Sequence, residues 1–210
     1  MAPREDECLR RRVHLYYGAV KGTPYKWLDL AALTAKLFPR NQISRIRYFT
    51  AIVDARSSDL QQPVRQQTYL RALRTIPSLS VHLGTFRTRP ARMTLVHPPG
   101  GGPRTAEVWK TEEKGSDVNL ASYLLLDAFR KDCDVAIVFS NDADLKEPIA
   151  IAKNELGIAV GVVNPHPPAR RSRDLKPTFF RQLREGPVGG SQFPAVMTDP
   201  RGQFHKPAAW

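Results

Sequence analysis

The sequence predicts an α/β fold of three layers, with helices covering both faces of a mostly parallel central sheet. Three observations lead there. Two short, continuous apolar runs, DVAIVF at 134–139 and IAVGVV at 158–163, have the composition of strands buried on both faces. Segments with apolar residues at three- and four-residue spacing stand between the strand-like runs. Their alternation is the pattern of a parallel sheet wrapped by crossover helices.

Taken in order, residues 1–13 (MAPREDECLRRRV) have no apolar periodicity and read as a charged arm. Leu30, Leu33, Leu37 and Phe38, ahead of Pro39, predict a helix over 27–38. The β-branched and aromatic run at 43–53 predicts a strand in which Arg45 and Arg47 alternate. A helix over 62–76 stops at Pro77, and SVHLGTF at 80–86 is a second strand. The turn-rich stretch HPPGGGPR at 97–104 links two short strands, MTLV and AEVW. A helix over 117–131 follows, with Val118, Ala121, Leu124, Leu125, Ala128 and Phe129 assigned to one face and Ser116 or Asp117 as its cap. Between the two apolar strands lies a helix over 145–157, closed by Gly157. Beyond Asn164 the chain turns Pro- and Arg-rich, offers one more helix over 173–184, and ends in an extended Gly/Pro-rich tail at 186–210.

With 210 residues, 41% hydrophobic and 25% charged, the chain can bury one sizeable core. Thirty-two basic residues against twenty acidic give a net charge of +12, a field that concentrates polyanions, nucleic acid above all. The cations are dispersed, so charge alone does not choose a partner. No apolar run reaches the roughly 20 residues of a membrane span, and the first thirteen residues are charged rather than signal-like; a cytoplasmic protein without a membrane partner is expected. Cys8 and Cys133 are too few for a disulfide framework, and Cys133 reads as an inert thiol at the core's edge. His14, His82, His97, His166 and His205 are isolated, and the glycines at 100–102 form a turn. Tyr16, Tyr17 and Trp27 could stack bases or simply pack, and Arg170, Arg171 and Arg173 could contact phosphates or line a solvated loop.

The segment VAIVFSNDADL carries the most chemistry. It sets Asp142 and Asp144 just beyond a strand's carboxyl end, where open α/β sheets bind ligands. Two adjacent carboxylates there repel unless a cation lies between them. With Asp117 at the start of the preceding helix they would make an all-oxygen site suited to Mg²⁺ or Mn²⁺. Such a metal can polarise a phosphodiester and activate water. The bland alternative is that Asp142 caps the next helix and Asp144 sits in its first turn.

Four segments, LYYGAVKGTPYKWLDL (15–30), RIRYFTAIV (45–53), EEKGSDVNLASYLLLDAF (112–129) and VAIVFSNDADLKEPI (135–149), resemble the NYN domain, a branch of the PIN-like metal-dependent ribonucleases. The resemblance covers about residues 14–185 and implies a PIN-like sandwich followed by the 186–210 tail. It implies a metal-dependent endoribonuclease in which Asp117, Asp142 and Asp144 hold the Mg²⁺ or Mn²⁺, while Lys114, Ser140, Asn141, Arg170 and Arg171 meet RNA. The family's opening strand and its Asp-Gly-x-Asn-Leu element are missing: Arg11, Arg12 and His14 stand at the Asp, Gly and Asn positions. A lost first strand and first acid are therefore expected, with an open sheet edge that invites a homo-oligomer. Three explanations stay open: an unnatural stretch at 1–13, a non-catalytic RNA-binding or scaffold module, or a site rescued by Glu5, Asp6 or Glu7.

Overall fold

The computed structural model describes the backbone of residues 6–11 and the whole of residues 15–55 and 59–210. Glu5, Arg12 and His14 lie outside the described residues. The charged arm supplies a strand. β1, Asp6–Arg11, runs parallel to and between β2 (Gln42–Ala51) and β5 (Val135–Phe139). The expected absence of a first strand is thus corrected. Two neighbouring strands present unpaired ladder groups that must be satisfied, and backbone pairing does so whatever the side chains.

The other strands are β3 (Leu79–Thr94), β4 (Thr105–Lys114), β6 (Ala159–Asn164) and β7 (Phe179–Gln182). Together they form one seven-stranded sheet in the order β4-β3-β2-β1-β5-β6-β7. All pairs are parallel except β3 with β4. The chain winds outward from β1 in one direction and later, from β5, in the other, so the topological switch lies between β1 and β5.

Two cores sandwich the sheet. Ile137 and Phe139 of β5 join one cluster with α1 (Leu30–Leu37) and α2 (Gln62–Leu73). Ala136 and Val138 join the other with α3 (Ser116–Arg130) and α4 (Lys146–Asn154). This is the alternation a strand buried on both faces must show, and each large apolar side chain so buried stabilises by about 1.5–3 kcal/mol. The mixed α/β class holds.

Local chemistry sets the element ends. Asp29 caps α1, accepting from the N–H groups of Ala31 and Ala32 at 2.8 and 3.0 Å, so the helix starts three residues later than the periodicity suggests. Gly115, at φ 95°, turns the chain from β4 into α3 in a conformation that suits glycine. Val118 and Phe129 do not belong to the buried face of α3; both are exposed. Asp127 is buried instead, because β2 answers it: Arg47 donates to its two carboxylate oxygens at 2.9 and 3.1 Å, and Arg45 adds a longer contact at 3.4 Å.

The C-terminal third departs furthest from expectation. No helix forms over 173–184, where Pro177 withholds a donor and Phe179 and Phe180 pair as β7 along β6. The tail is folded rather than extended: α5 (Glu185–Gly189) leads into a hairpin of β8 (Val196–Asp199) and β9 (Gly202–His205). Its anchor is Trp27, fully buried, whose ring meets Phe193, Phe204 and Trp210 at 5.8, 6.4 and 6.2 Å between centroids. Trp27 also donates through Nε1 to the Pro194 carbonyl at 2.8 Å. Among the described residues no helix is long and apolar enough to cross a membrane.

Candidate functional site

Two regions lie on the carboxyl side of the sheet. The first is the acidic loop after β5. Ser140 is fully buried and its Oγ accepts from the Asp142 N–H at 3.1 Å. Asp142 in turn caps a short 3₁₀ turn, Ala143–Leu145, accepting from the Asp144 N–H at 3.1 Å. Asp144 is exposed in that turn, and Asp117 lies half-buried in the first turn of α3. Among the described residues no three His, Cys, Asp or Glu side chains come together as a group able to hold a metal ion. The expected Mg²⁺ or Mn²⁺ cofactor is therefore corrected. Asp142 does cap the start of the next helical turn, as the alternative reading had it.

Of the residues expected to meet RNA, Ser140 and Asn141 come together with the loop that carries Arg170 and Arg171. Lys114 pairs with Glu112 at 3.3 Å on the β4 ribbon. Asn141 is a strut: its Nδ2 donates to the Arg170 carbonyl and its Oδ1 accepts from the Ser172 N–H at 2.7 Å, tying the Pro/Arg-rich loop to β5. Arg171 lies over the Phe180 ring, 3.5 Å from its centroid.

The second region is a cavity of about 380 Å³ beyond the end of β2, closed on one side by α2. Its walls are aromatic: Tyr16, Tyr17, Tyr48, Tyr69, Phe86 and Trp210. Tyr69 is held by its hydroxyl, which donates to the Leu28 carbonyl at 2.8 Å, and by edge contacts with Tyr48 and Trp210 at 6.3 and 5.8 Å. Gln66 fixes the end of β2, donating to the Ala51 carbonyl at 2.8 Å and accepting from the Val53 N–H at 2.9 Å. Two cations, Lys26 and Arg65, stand in the wall, and Arg65 is paired with Asp59. Burial, with Tyr17 adding to it, raises the Tyr16 phenol above its usual range, so it stays a hydrogen-bond donor at neutral pH.

Sequence reasoning weighed Tyr16, Tyr17 and Trp27 as stacking residues. Tyr16 and Tyr17 do line the cavity, whereas Trp27 is core. Tyr48, Tyr69 and Trp210 went unnoticed because each comes from an element read as core or tail. The Tyr16-Tyr17 pair beside a Trp was the one available signal.

The fold and the sequence each have a known counterpart. A crystal structure of a protein of unknown function from Vibrio parahaemolyticus shares the fold, with a TM-score of 0.56 at 16% identity over 88% of this chain and 98% of that one. In sequence the chain is similar to 6-hydroxy-3-succinoylpyridine 3-monooxygenase of Pseudomonas putida: 29% identical over 240 aligned positions, covering 98% of this chain and 77% of the relative. No family model matches the chain. Similarity along nearly the whole chain to a monooxygenase overturns the ribonuclease expectation, with its nuclease and hydrolase character.

Proposed function

We propose that this chain is an oxidoreductase of the monooxygenase type, hydroxylating a small aromatic acid held in the cavity beside Tyr16. The observation that carries the reading is the aromatic cavity itself, in a chain aligned almost end to end with an enzyme whose substrate is named as a hydroxylated pyridine bearing a succinoyl arm. The aromatic walls of the cavity suit a flat ring, which offset and edge contacts with them favour. Lys26 suits the carboxylate of the side arm, Arg65 being already paired with Asp59, and Tyr16 can donate to a ring hydroxyl. Closing the ring among apolar walls also excludes water from the reacting carbon.

For hydroxylation at a ring C–H, that bond and the O–O bond break and one C–O bond forms, while a hydride from an external donor and one proton from solvent reduce the second oxygen to water. A resident cofactor normally activates the oxygen. The residues described do not fit the two commonest cradles. The sequence at 11–22, RRVHLYYGAVKG, holds only Gly18 and Gly22 instead of three spaced glycines. A Cβ on Gly18 would meet the Pro165 backbone at 2.9 Å, so that glycine serves chain packing. Nor is there a three-ligand metal group among the described residues. The chain's own part is to bind, orient and desolvate the ring.

The test is isotopic. Purified protein given 6-hydroxy-3-succinoylpyridine, a reduced pyridine nucleotide and ¹⁸O₂ is expected to yield a ring product carrying one ¹⁸O, with Lys26→Ala raising KM more than it lowers kcat. An unlabelled product, or none across a panel of aromatic acids and added cofactors, would sink the reading. The finer fold reading, a PIN-like sandwich of the NYN type, is also a proposal. It is supported by the four resembling segments and by a central β1 flanked by β2 and β5. A fold of that type does not dictate hydrolysis.

A further inference from the structure

We infer that a second site, an open cleft between the end of α4, the 168–178 loop and β7, binds an organic diphosphate of nucleotide size. The cleft has a volume of about 830 Å³, within the range of small-molecule sites. Lys153, Arg171, Arg173 and Lys176 line it, and no Asp or Glu does. Ion pairs among the described residues involve none of these four cations. The ribbon of β3 and β4 offers a contrast: there Lys110 and Lys114 close on Glu112 at 2.7 and 3.3 Å and partly neutralise each other's field. Four cations around one concavity, with no carboxylate paired to them among the described residues, repel one another, and an anion entering the cleft relieves that repulsion.

The loop is held in place before any ligand arrives. Asn141 clamps it at Arg170 and Ser172, and Lys153 donates to the Lys176 carbonyl at 2.9 Å. At its far end the Thr178 N–H donates to the Val160 carbonyl at 2.7 Å, and the Thr178 hydroxyl accepts from the Val160 N–H at 3.0 Å. Such preorganisation reduces the ordering cost of binding. Guanidinium forks match phosphate oxygens in pairs, and a carboxylate's single charge would leave the cluster under-compensated. The buried Leu175, with Phe179 and Phe180, adds an apolar floor that an inorganic ion would not use. A diphosphate on an organic group satisfies both parts. This inference is independent of the ring-hydroxylation reading.

Calorimetric titration of the full chain with ADP and with pyrophosphate, in phosphate-free buffer, tests it. ADP is expected to bind, pyrophosphate more weakly. The Arg173→Ala/Lys176→Ala double variant, altered only at exposed residues, is expected to weaken ADP binding about tenfold or more, the equivalent of about 1.4 kcal/mol. The matched ribbon variant Arg87→Ala/Arg89→Ala should stay within about twofold of wild type, since it leaves the cleft intact. The proposal is overturned if ADP gives no binding at millimolar concentration, or if the cleft variant binds like wild type. It is equally overturned if the ribbon variant loses as much, or if a single-stranded oligonucleotide competes regardless of the cleft residues, because binding would then be diffuse electrostatics.

Discussion

The acidic loop after β5 and the aromatic cavity beyond β2 stand on the same edge of one sheet, yet they are built in opposite ways. The loop is local: Ser140, Asp142 and Asp144 satisfy one another within five residues. The cavity is assembled from distant segments, with Tyr16, Tyr48, Tyr69, Phe86 and Trp210 drawn from across the whole chain. A compact motif is easy to see and can be no more than a helix start. A ligand site made by tertiary packing leaves little trace in the sequence.

The comparison can be broken most forcefully at Trp27. Trp27→Ala removes the buried ring on which the tail docks, at a cost of about 3–5 kcal/mol. Urea denaturation should show a shifted midpoint and near-UV circular dichroism a flattened aromatic signal. A midpoint unchanged would mean that the tail does not depend on this anchor.

A smaller change sharpens the contrast. Tyr69→Ala is expected to weaken binding of an aromatic acid at least about tenfold, or about 1.4 kcal/mol, read by calorimetry. Asp142→Ala should instead cost about 1 kcal/mol of stability through the lost cap while leaving that affinity within about twofold. If Asp142→Ala abolished aromatic-acid binding and Tyr69→Ala did not, the two regions would have exchanged roles.

The smallest effect is a pH dependence. Arg71 donates to both carboxylate oxygens of Asp199 at 2.7 and 2.8 Å and to the Gly202 carbonyl, pinning the β8–β9 hairpin to α2. The hydrogen bond from Arg71 lowers the Asp199 carboxyl from 3.8 to about 2. Because the folded value is the lower one, the contact stabilises above the ordinary value and is lost as pH falls toward about 2. The aromatic signal of the tail should fade in that window, and Asp199→Asn should make it insensitive to pH there. A wild-type signal flat across the window would show that the pair does not hold the hairpin.

Legibility followed the range of the interaction. β5 and β6 were readable because burial on both faces demands an unbroken apolar run, and α4 because its apolar stripe recurs at helical spacing. In α3, Val118 and Phe129 were assigned to the buried face and are exposed, while Asp127 is buried because Arg45 and Arg47 stand opposite it, which no local pattern shows. The acidic loop was legible as a motif, but its cap role and a metal role look alike in sequence.

What the sequence determined by itself was the α/β class, the helices over α1 to α4, and the turn that closes the β3–β4 ribbon. Periodicity, caps and glycines act over a few residues, so they are written locally. The tertiary structure alone decided that Asp6–Arg11 becomes the central strand, that the tail folds back onto Trp27, and that six aromatic rings converge beyond β2. Each of those depends on partners distant along the chain, whose pairing and packing exist only once the sheet has formed.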